Sequence, residues 1–203
     1  MDARIAVLAS GAGSNLQALL HDPRVGPSVV LVLSDRPNAG ALEKARLHRV
    51  KAVILEPAHY PSREAFDHAL CGLLEEEGIE YVLLAGYMRI LGPEVIRSFP
   101  ERILNVHPSL LPAFPGAHAP RDAIAWGAQL TGVTVHLVDE EVDHGPIVLQ
   151  EAVAIMPDDD ETTLHQRIQQ VEHRLYPHAA ALLATGRLKV DGRRVLIMEE
   201  PPA

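Results

Sequence analysis

The chain contains a single cysteine, Cys71. No internal disulfide can form, so the fold is held without covalent cross-links. Cys71 lies in REAFDHALCGLLEEEG, an amphipathic helical pattern, and is read as a small packed hydrophobe. Basic charge is also short. Lys and Arg number 18 against 27 Asp and Glu, a net charge of −9 with histidines neutral. Nucleic-acid and anionic-membrane surfaces need a basic patch, so the balance argues against both, while a local cleft for a small phosphate stays open. No apolar run approaches a membrane span and no basic-then-apolar segment opens the chain, so a cytoplasmic location is expected. Metal-ligand spacing is missing too. There are 11 histidines but no H-E-x-x-H and no C-x-x-C, and His107, His118, His136 and His144 fall in different elements. No metal site is expected. The absence of a G-x-S-x-G elbow removes the serine hydrolases.

What is present is an ordinary globular composition over 203 residues, enough for one good core. The first half alternates short apolar runs with helical patterns: RIAVLAS, VVLVLS, KAVILE, EYVLLAG and RILNVH as strands, with SNLQALLHD, AGALEKARLHRV and PSREAFDHALCGLLEEEG as helices. Continuous apolar strands separated by helices predict an open, mostly parallel twisted sheet covered on both faces. Ser14 is the expected N-cap of the first helix. Later the pattern changes. APRDAIAWGA reads as a short helix, with Pro120 either shortening it or serving as its N1 residue. TGVTVHLVD alternates in period two, with Val133, Val135 and Leu137 on one side, and IVLQEAVAI follows after EEVDHGP. That pair predicts an antiparallel excursion. A long helix follows, starting in acidic residues as the macrodipole favours and expected to break near Pro177. RLKVDGRRVLI, with Asp191-Gly192, reads as a terminal hairpin. No repeat or linker interrupts residues 1–203, so one α/β domain with a mixed C-terminal part is expected.

The segment LASGAGSNLQ joins the first strand to the first helix. Gly11 and Gly13 allow a tight turn, and Ser14 and Asn15 sit at a helix N-terminus, where N–H groups and the dipole attract an anion. It is not a P-loop, since no Lys-Ser/Thr follows at the required spacing. As a dinucleotide fingerprint it is incomplete, with Leu16 in the place of the third glycine, although Asp35 ends the second strand where a ribose-binding acid would lie. Anion binding, a plain Gly-rich turn and dinucleotide binding all stay open on these residues alone.

Asn105 and His107 lie two apart at the C-terminal end of RILNVH, so period two points both to one face, at the sheet edge where open α/β folds bind ligands. An amide donor and an imidazole aimed at one point suit an oxygen that develops negative charge, as in acyl-type chemistry. Asp143, in DEEVDHG, would favour the imidazolium if it folds beside His107. The alternatives are a packed histidine and a turn aspartate. Pro108, Pro112, Pro115 and Pro120 restrict the segment after His107, which would hold it in place before substrate arrives.

Together, SGAGSNLQALL, SREAFD, LLAGYMRIL, NVHPSLLPAFPGAHA, TGVTVHLVDEEVDHGPIVLQ and VEHRLYP resemble the formyltransferase family that uses 10-formyltetrahydrofolate. The resemblance covers nearly the whole chain, and the N-V-H-P-S-L-L-P run is its most specific part. It implies a Rossmann-like fold, with residues 1–100 as a phosphate-binding half and residues 101–203 as a catalytic and folate-binding half of one domain. The implied reaction is formyl transfer from 10-formyltetrahydrofolate to the amine of 5-phosphoribosylglycinamide in purine synthesis, with no metal. The implied roles follow position by position. Gly13, Ser14 and Asn15 hold the acceptor's phosphate, and Gln169 and Glu172 reach its ribose and glycinamide end. Arg63 and the segment Met88, Arg89, Ile90, Leu91 bind the folate, Asp139, Glu140, Glu141, Val142 and Asp143 surround its pterin, and Asn105, also against the folate, completes the catalytic trio with His107 and Asp143. A cis Leu111–Pro112 bond is implied as well. His144 departs from the family's familiar glycine and either alters the pterin loop or adds a titrating group near the site. His118 and His136 are read as structural or supporting residues.

The nearest alternatives keep the chemistry and change the acceptor. A deformylase uses water and usually carries an extra N-terminal domain, whereas this chain opens directly on its first strand. Methionyl-tRNA formyltransferase has an additional C-terminal domain and needs a basic surface, whereas this chain is acidic and ends soon after Tyr176. A non-catalytic nucleotide-binding module has no use for Asn105, His107 and Asp143 together. Partners are expected to be small molecules, with no nucleic acid and no membrane, and the chain a monomer or homodimer.

Overall fold

The computed structural model describes residues 3–199. The chain divides into two compact units, the first closing at Leu104 and the second opening at Asn105. Among the described residues no helix is long and apolar enough to cross a membrane.

In the first unit the four apolar runs form strands β1 (Ile5–Leu8), β2 (Val29–Ser34), β3 (Lys51–Ile54) and β4 (Tyr81–Leu84). They pair in parallel, β1 with β2 and β4, and β2 with β3, as runs separated by helices require. β1 is wholly buried, while Lys51 and Ile54 of β3 are exposed. The connecting helices are α1 (Ser14–His21), α2 (Gly40–Leu47) and α3 (Arg63–Glu76). The N-cap of α1 is Gly13, not Ser14, and no side chain caps it. Gly13 takes φ 77°, a left-handed conformation that glycine reaches without a Cβ penalty, and Ser14 thereby becomes the first helical residue. α3 is capped as its sequence suggests: the Ala65 N–H donates to Ser62 Oγ, and Gly78 ends it at φ 60°. Phe66, Leu70 and Leu74 line its buried face at helical spacing. Cys71 is buried there too, 3.9 Å from Ser98 Oγ, and burial pushes its thiol pKa up, consistent with a packed residue. A short helix, α4 (Pro93–Ser98), has no counterpart in the sequence reading; six residues are too few for an amphipathic period to register.

Strand β5 (Ile103–His107) closes the first unit with two residues and opens the second with three. The second unit continues with α5 (Ala119–Trp126), where Pro120 sits in the first turn, as a helix start tolerates. Strands β6 (Leu130–Leu137) and β7 (Ile147–Ala154) pair antiparallel from Leu130↔Ala154 to His136↔Ile147, the excursion that the alternation predicts. Next, α6 (Glu161–Ala184) opens with a capping box between Asp160 and Thr163. The expected break at Pro177 does not occur. An interior proline costs about 3 kcal/mol or more through one lost bond and a clash. The buried face of α6 runs on either side of it, from Leu164, Ile168 and Tyr176 to Ala179, Leu182 and Leu183, and that packing outweighs the local loss. Strands β8 (Leu188–Asp191) and β9 (Arg194–Ile197) form the terminal hairpin around Gly192 and Arg193, and β9 pairs in parallel with β7 at Ile147↔Arg194.

Gly132 in β6 shows how tightly this sheet closes. A Cβ there would lie 2.2 Å from the Glu151 carbonyl oxygen and 2.6 Å from Leu110 Cδ2. Gly132→Ala is therefore expected to destabilise the protein by about 1–3 kcal/mol or more, read as a lower urea midpoint; an unchanged midpoint would contradict this packing.

Candidate active site

Within the second unit, β5 delivers Asn105 and His107 to its C-terminal end, and the chain then turns sharply. His107 is almost fully buried. Its Nε2–H donates to the Phe114 carbonyl at 2.8 Å, so that nitrogen is committed as a donor. Its Nδ1 faces Asp143 Oδ2 at 3.4 Å. A charge-assisted N–H···O bond usually spans about 2.7–2.9 Å. Asp143 is thus a close charge that leaves Nδ1 some freedom to reach another acceptor. Asp143 is itself held by the loop that holds His107, because the Gly116 N–H donates to its Oδ2 at 2.7 Å.

The loop after His107 is fixed by more than its prolines. The buried Thr134 hydroxyl donates to the Ser109 carbonyl at 2.7 Å and accepts the Leu111 N–H at 3.0 Å. Gln150 Nε2 donates to that hydroxyl and to the Leu111 carbonyl, both at 2.9 Å, and Ser109 Oγ donates to the Ala113 carbonyl. The Leu111–Pro112 bond within it is cis. Thr134 and Gln150 face each other across β6 and β7, so the antiparallel pair braces the loop that follows His107.

His136 joins the group as a member that the sequence reading left between structural and supporting roles. The Asn105 Nδ2–H donates to His136 Nε2 at 3.1 Å, while His136 Nδ1–H donates to the Leu137 carbonyl at 2.8 Å. This fixes both the imidazole tautomer and the orientation of the Asn105 amide, leaving the second amide N–H for other contacts. His136 Nε2 also lies 3.8 Å from Asp143 Oδ1. Burial, the largest influence, pushes the His136 pKa below its usual value, in keeping with a neutral ring that accepts a bond. The period-two pattern carried a signal for it: Thr134 and His136 share the face of β6 opposite Val133, Val135 and Leu137.

The lowered His136 pKa has a consequence for stability. The unfolded chain, with a histidine pKa of about 6.5, takes the proton before the folded one does. The stability His136 provides is therefore complete above that value and falls as the pH drops through the folded-state pKa. Between pH 7.5 and 5.5 the loss of urea stability is expected to be smaller in His136→Gln than in the parent. Equal losses would show that His136 is not a neutral, bonded ring.

His118 is exposed at the start of α5 and stands outside this group of bonds. His144 does not enter the trio either: its Nδ1–H donates to Asp139 Oδ2 at 2.7 Å. In the same loop the Glu141 N–H donates to Asp139 Oδ1, Glu140 and Glu141 lie at the surface, and Val142 is exposed. On α6, Gln169 Nε2–H donates to His165 Nε2 at 3.0 Å, and Glu172 is buried one turn further on.

The first unit carries the other expected residues. At Gly13 a Cβ would lie 2.8 Å from Ala41 Cα, so the turn before Ser14 and Asn15 needs glycine for space as well as for its φ. Asp35, the candidate ribose acid, accepts the Ser10 hydroxyl at 2.6 Å, and Ser10 Oγ in turn accepts the Met88 N–H. Arg63 and residues 88–91 do come together: Arg63 Nη2 donates to the Ile90 and Leu91 carbonyls at 3.0 and 3.1 Å. Arg89 stacks over Phe66, with 4.7 Å from Cζ to the ring centroid. Met88 and Ile90 are exposed and Leu91 is buried. Asp67, which the sequence reading missed, is buried beside this segment, accepts the Gly92 N–H and lies 3.6 Å from Arg63 Nε. The segment thus has an apolar outer edge on a braced backbone, which suits a flat, partly apolar ligand.

Comparison with known proteins adds to this geometry. The family model described as formyl transferase matches residues 3–180. Phosphoribosylglycinamide formyltransferase of Mycobacterium tuberculosis (strain ATCC 25618 / H37Rv) is 45% identical over 203 residues, covering 96% of this chain and 94% of that protein. The trifunctional purine biosynthetic protein adenosine-3 of Drosophila pseudoobscura pseudoobscura is 45% identical over 191 residues, which is 92% of this chain but only 14% of that longer protein. Among solved structures, glycinamide ribonucleotide transformylase 1 from Symbiobacterium toebii is similar with a TM-score of 0.94 and 50% identity, covering 97% of this chain and 94% of that one.

Proposed function

The chain belongs to the formyl transferase family, and on that premise we propose that it transfers the formyl group of 10-formyltetrahydrofolate to the amine of 5-phosphoribosylglycinamide, as a cytoplasmic enzyme acting on small molecules. The observation that carries this reading is the fixed His107, donating from Nε2 to Phe114 and presenting Nδ1 beside Asp143.

The acceptor amine attacks the formyl carbon, and the formyl oxygen gains negative charge; when that tetrahedral species collapses, the carbonyl re-forms, the bond from the formyl carbon to the folate nitrogen breaks, and tetrahydrofolate leaves with the electron pair of that bond. Two donors serve that oxygen. One is the Asn105 amide, oriented by His136 so that one N–H remains to point at substrate. The other is His107, which gives Nε2–H to Phe114 and so serves the oxygen from Nδ1–H when both ring nitrogens carry protons, with the Asp143 carboxylate 3.4 Å away to balance the charge. Asp143 has a second task, as the base toward which the amine's proton moves, directly or through one water, before that proton passes on to the leaving folate nitrogen. The Gly-rich turn with Ser14 and Asn15 suits the acceptor's phosphate, Gln169 and Glu172 its ribose and glycinamide end, and the exposed edge of Met88 and Ile90 the donor's ring system. Arg63 acts on that edge from behind, by holding the Ile90 and Leu91 carbonyls.

The test is a direct assay with 10-formyltetrahydrofolate, with and without phosphoribosylglycinamide. Turnover that depends on the amine is expected. Deformylation at the same rate without the amine would replace this reading with a hydrolase.

A further inference from the structure

We propose that Arg193, at the tip of the β8–β9 hairpin, is a positioning residue that latches the 139–144 loop through His144 and so keeps Asp143 at His107; this rests on the role given to Asp143 above. The pairing of β9 with β7 at Ile147↔Arg194 brings the hairpin turn beside the residues that precede β7, 49 positions away in sequence. There the Arg193 guanidinium makes two contacts with one residue. Nη2 donates to the His144 carbonyl at 2.5 Å, and Nη1 lies against the imidazole, 3.1 Å from Nε2 and 3.4 Å from Nδ1. Nη1 is close to both ring nitrogens, so the guanidinium rests against the ring, and the proton on Nδ1 is placed by Asp139, whose carboxylate can only accept. Nδ1–H donates to Asp139 Oδ2 at 2.7 Å, and Asp139 Oδ1 accepts the Glu141 N–H at 3.0 Å. The chain from guanidinium to imidazole to carboxylate to backbone ties both ends of the loop together.

Asp143 needs such a tie. Its φ is 51°, left-handed for a residue that is not glycine, and such a conformation persists only where its surroundings hold it. On one side its carboxylate accepts the Gly116 N–H. On the other, the carbonyl of the very next residue is the one that Arg193 grips. Gly145 then closes the loop without slack, since a Cβ there would lie 1.9 Å from the Leu137 carbonyl oxygen. The hairpin that supplies Arg193 lies beyond residues 3–180, which the family model matches.

An exposed charged pair often contributes nothing measurable, and the experiment has to separate that case from a latch. Hydrogen exchange is measured on the full chain without substrates, in the parent, Arg193→Ala and Arg193→Lys. In Arg193→Ala the Gly116 and Glu141 amides are expected to exchange about 3- to 10-fold faster, with the β6–β7 ladder unchanged. Arg193→Lys keeps the charge but not the planar fork and should fall between. In formyl transfer, kcat should drop by about the same factor while the acceptor KM holds, because the latch acts on Asp143 and not on acceptor binding. Unchanged exchange at Gly116 and Glu141 in Arg193→Ala would overturn the latch, as would an equal rise across the whole β6–β7 ladder. If exchange changes as expected but the parent shows no amine-dependent transfer, the latch stands and the assigned activity falls.

Discussion

Asp143→Ala should lower kcat for formyl transfer by about 100- to 1,000-fold, the scale set by removing one preorganised electrostatic group from a transition state. The substitution removes the carboxylate 3.4 Å from His107 Nδ1, and with it the negative charge beside the ring. It also strands the Gly116 N–H, which donates to that carboxylate, so loop placement and charge are lost together. Asp143→Asn separates the two effects. Its amide oxygen can still accept from Gly116, but it offers no negative charge to His107 and no base for the amine's proton. If charge is the main contribution, Asn should be nearly as slow as Ala; if placement is, Asn should recover most of the rate. His107→Ala should fall in the same range. The fold should survive Asp143→Ala, which removes a partly exposed loop carboxylate, and circular dichroism with urea unfolding checks that for both variants. Near-normal turnover in a folded Asp143→Ala protein would remove the catalytic assignment.

Part of the placement of these residues is legible in the sequence, for a simple physical reason. Strand period and loop composition are local, and they place Asn105 and His107 on one face ahead of a restricted loop. Asp143 was readable as a partner only on the condition that its loop folds beside His107, and the family resemblance implied that it does, since nothing local in DEEVDHG sets the distance. What escaped reading depends on contacts between distant residues. Thr134 and Gln150 brace the loop because β6 and β7 pair in one particular register. His136 orients Asn105 across 31 residues of sequence. Asp67 holds Gly92, and Arg193 reaches His144, through packing that periodicity does not encode. Among the elements, the two misplacements share a cause. Ser14 has the usual chemistry of an N-cap, yet the close approach of Ala41 demands glycine at the preceding position and moves the cap there. Pro177 has the usual chemistry of a helix breaker, yet a continuous buried face carries α6 through it. In both places tertiary packing overrode a local preference worth only a few kcal/mol.

The same crowding at Gly13 sets the second large effect expected. Gly13→Ala should raise the KM for the phosphorylated acceptor by about 10- to 100-fold, the range for losing one or two hydrogen bonds to a charged group. A methyl at this position meets Ala41 Cα at 2.8 Å, a backbone atom with little room to yield, and φ 77° opposes a Cβ in any case. The turn must shift, and the N-terminus of α1 shifts with it. An anion held there depends on several N–H groups converging on one point, so a displacement of a few tenths of an ångström weakens every bond at once. Because the substitution touches the turn and not Asn105, His107 or Asp143, kcat at saturating acceptor should change much less than KM. The comparison that decides the matter uses a dephosphorylated acceptor. Removing the phosphate should slow the parent far more than it slows Gly13→Ala, since the variant has already lost that interaction. An equal penalty in both proteins would mean that the glycine turn does not hold the phosphate, and the anion would have to be sought elsewhere.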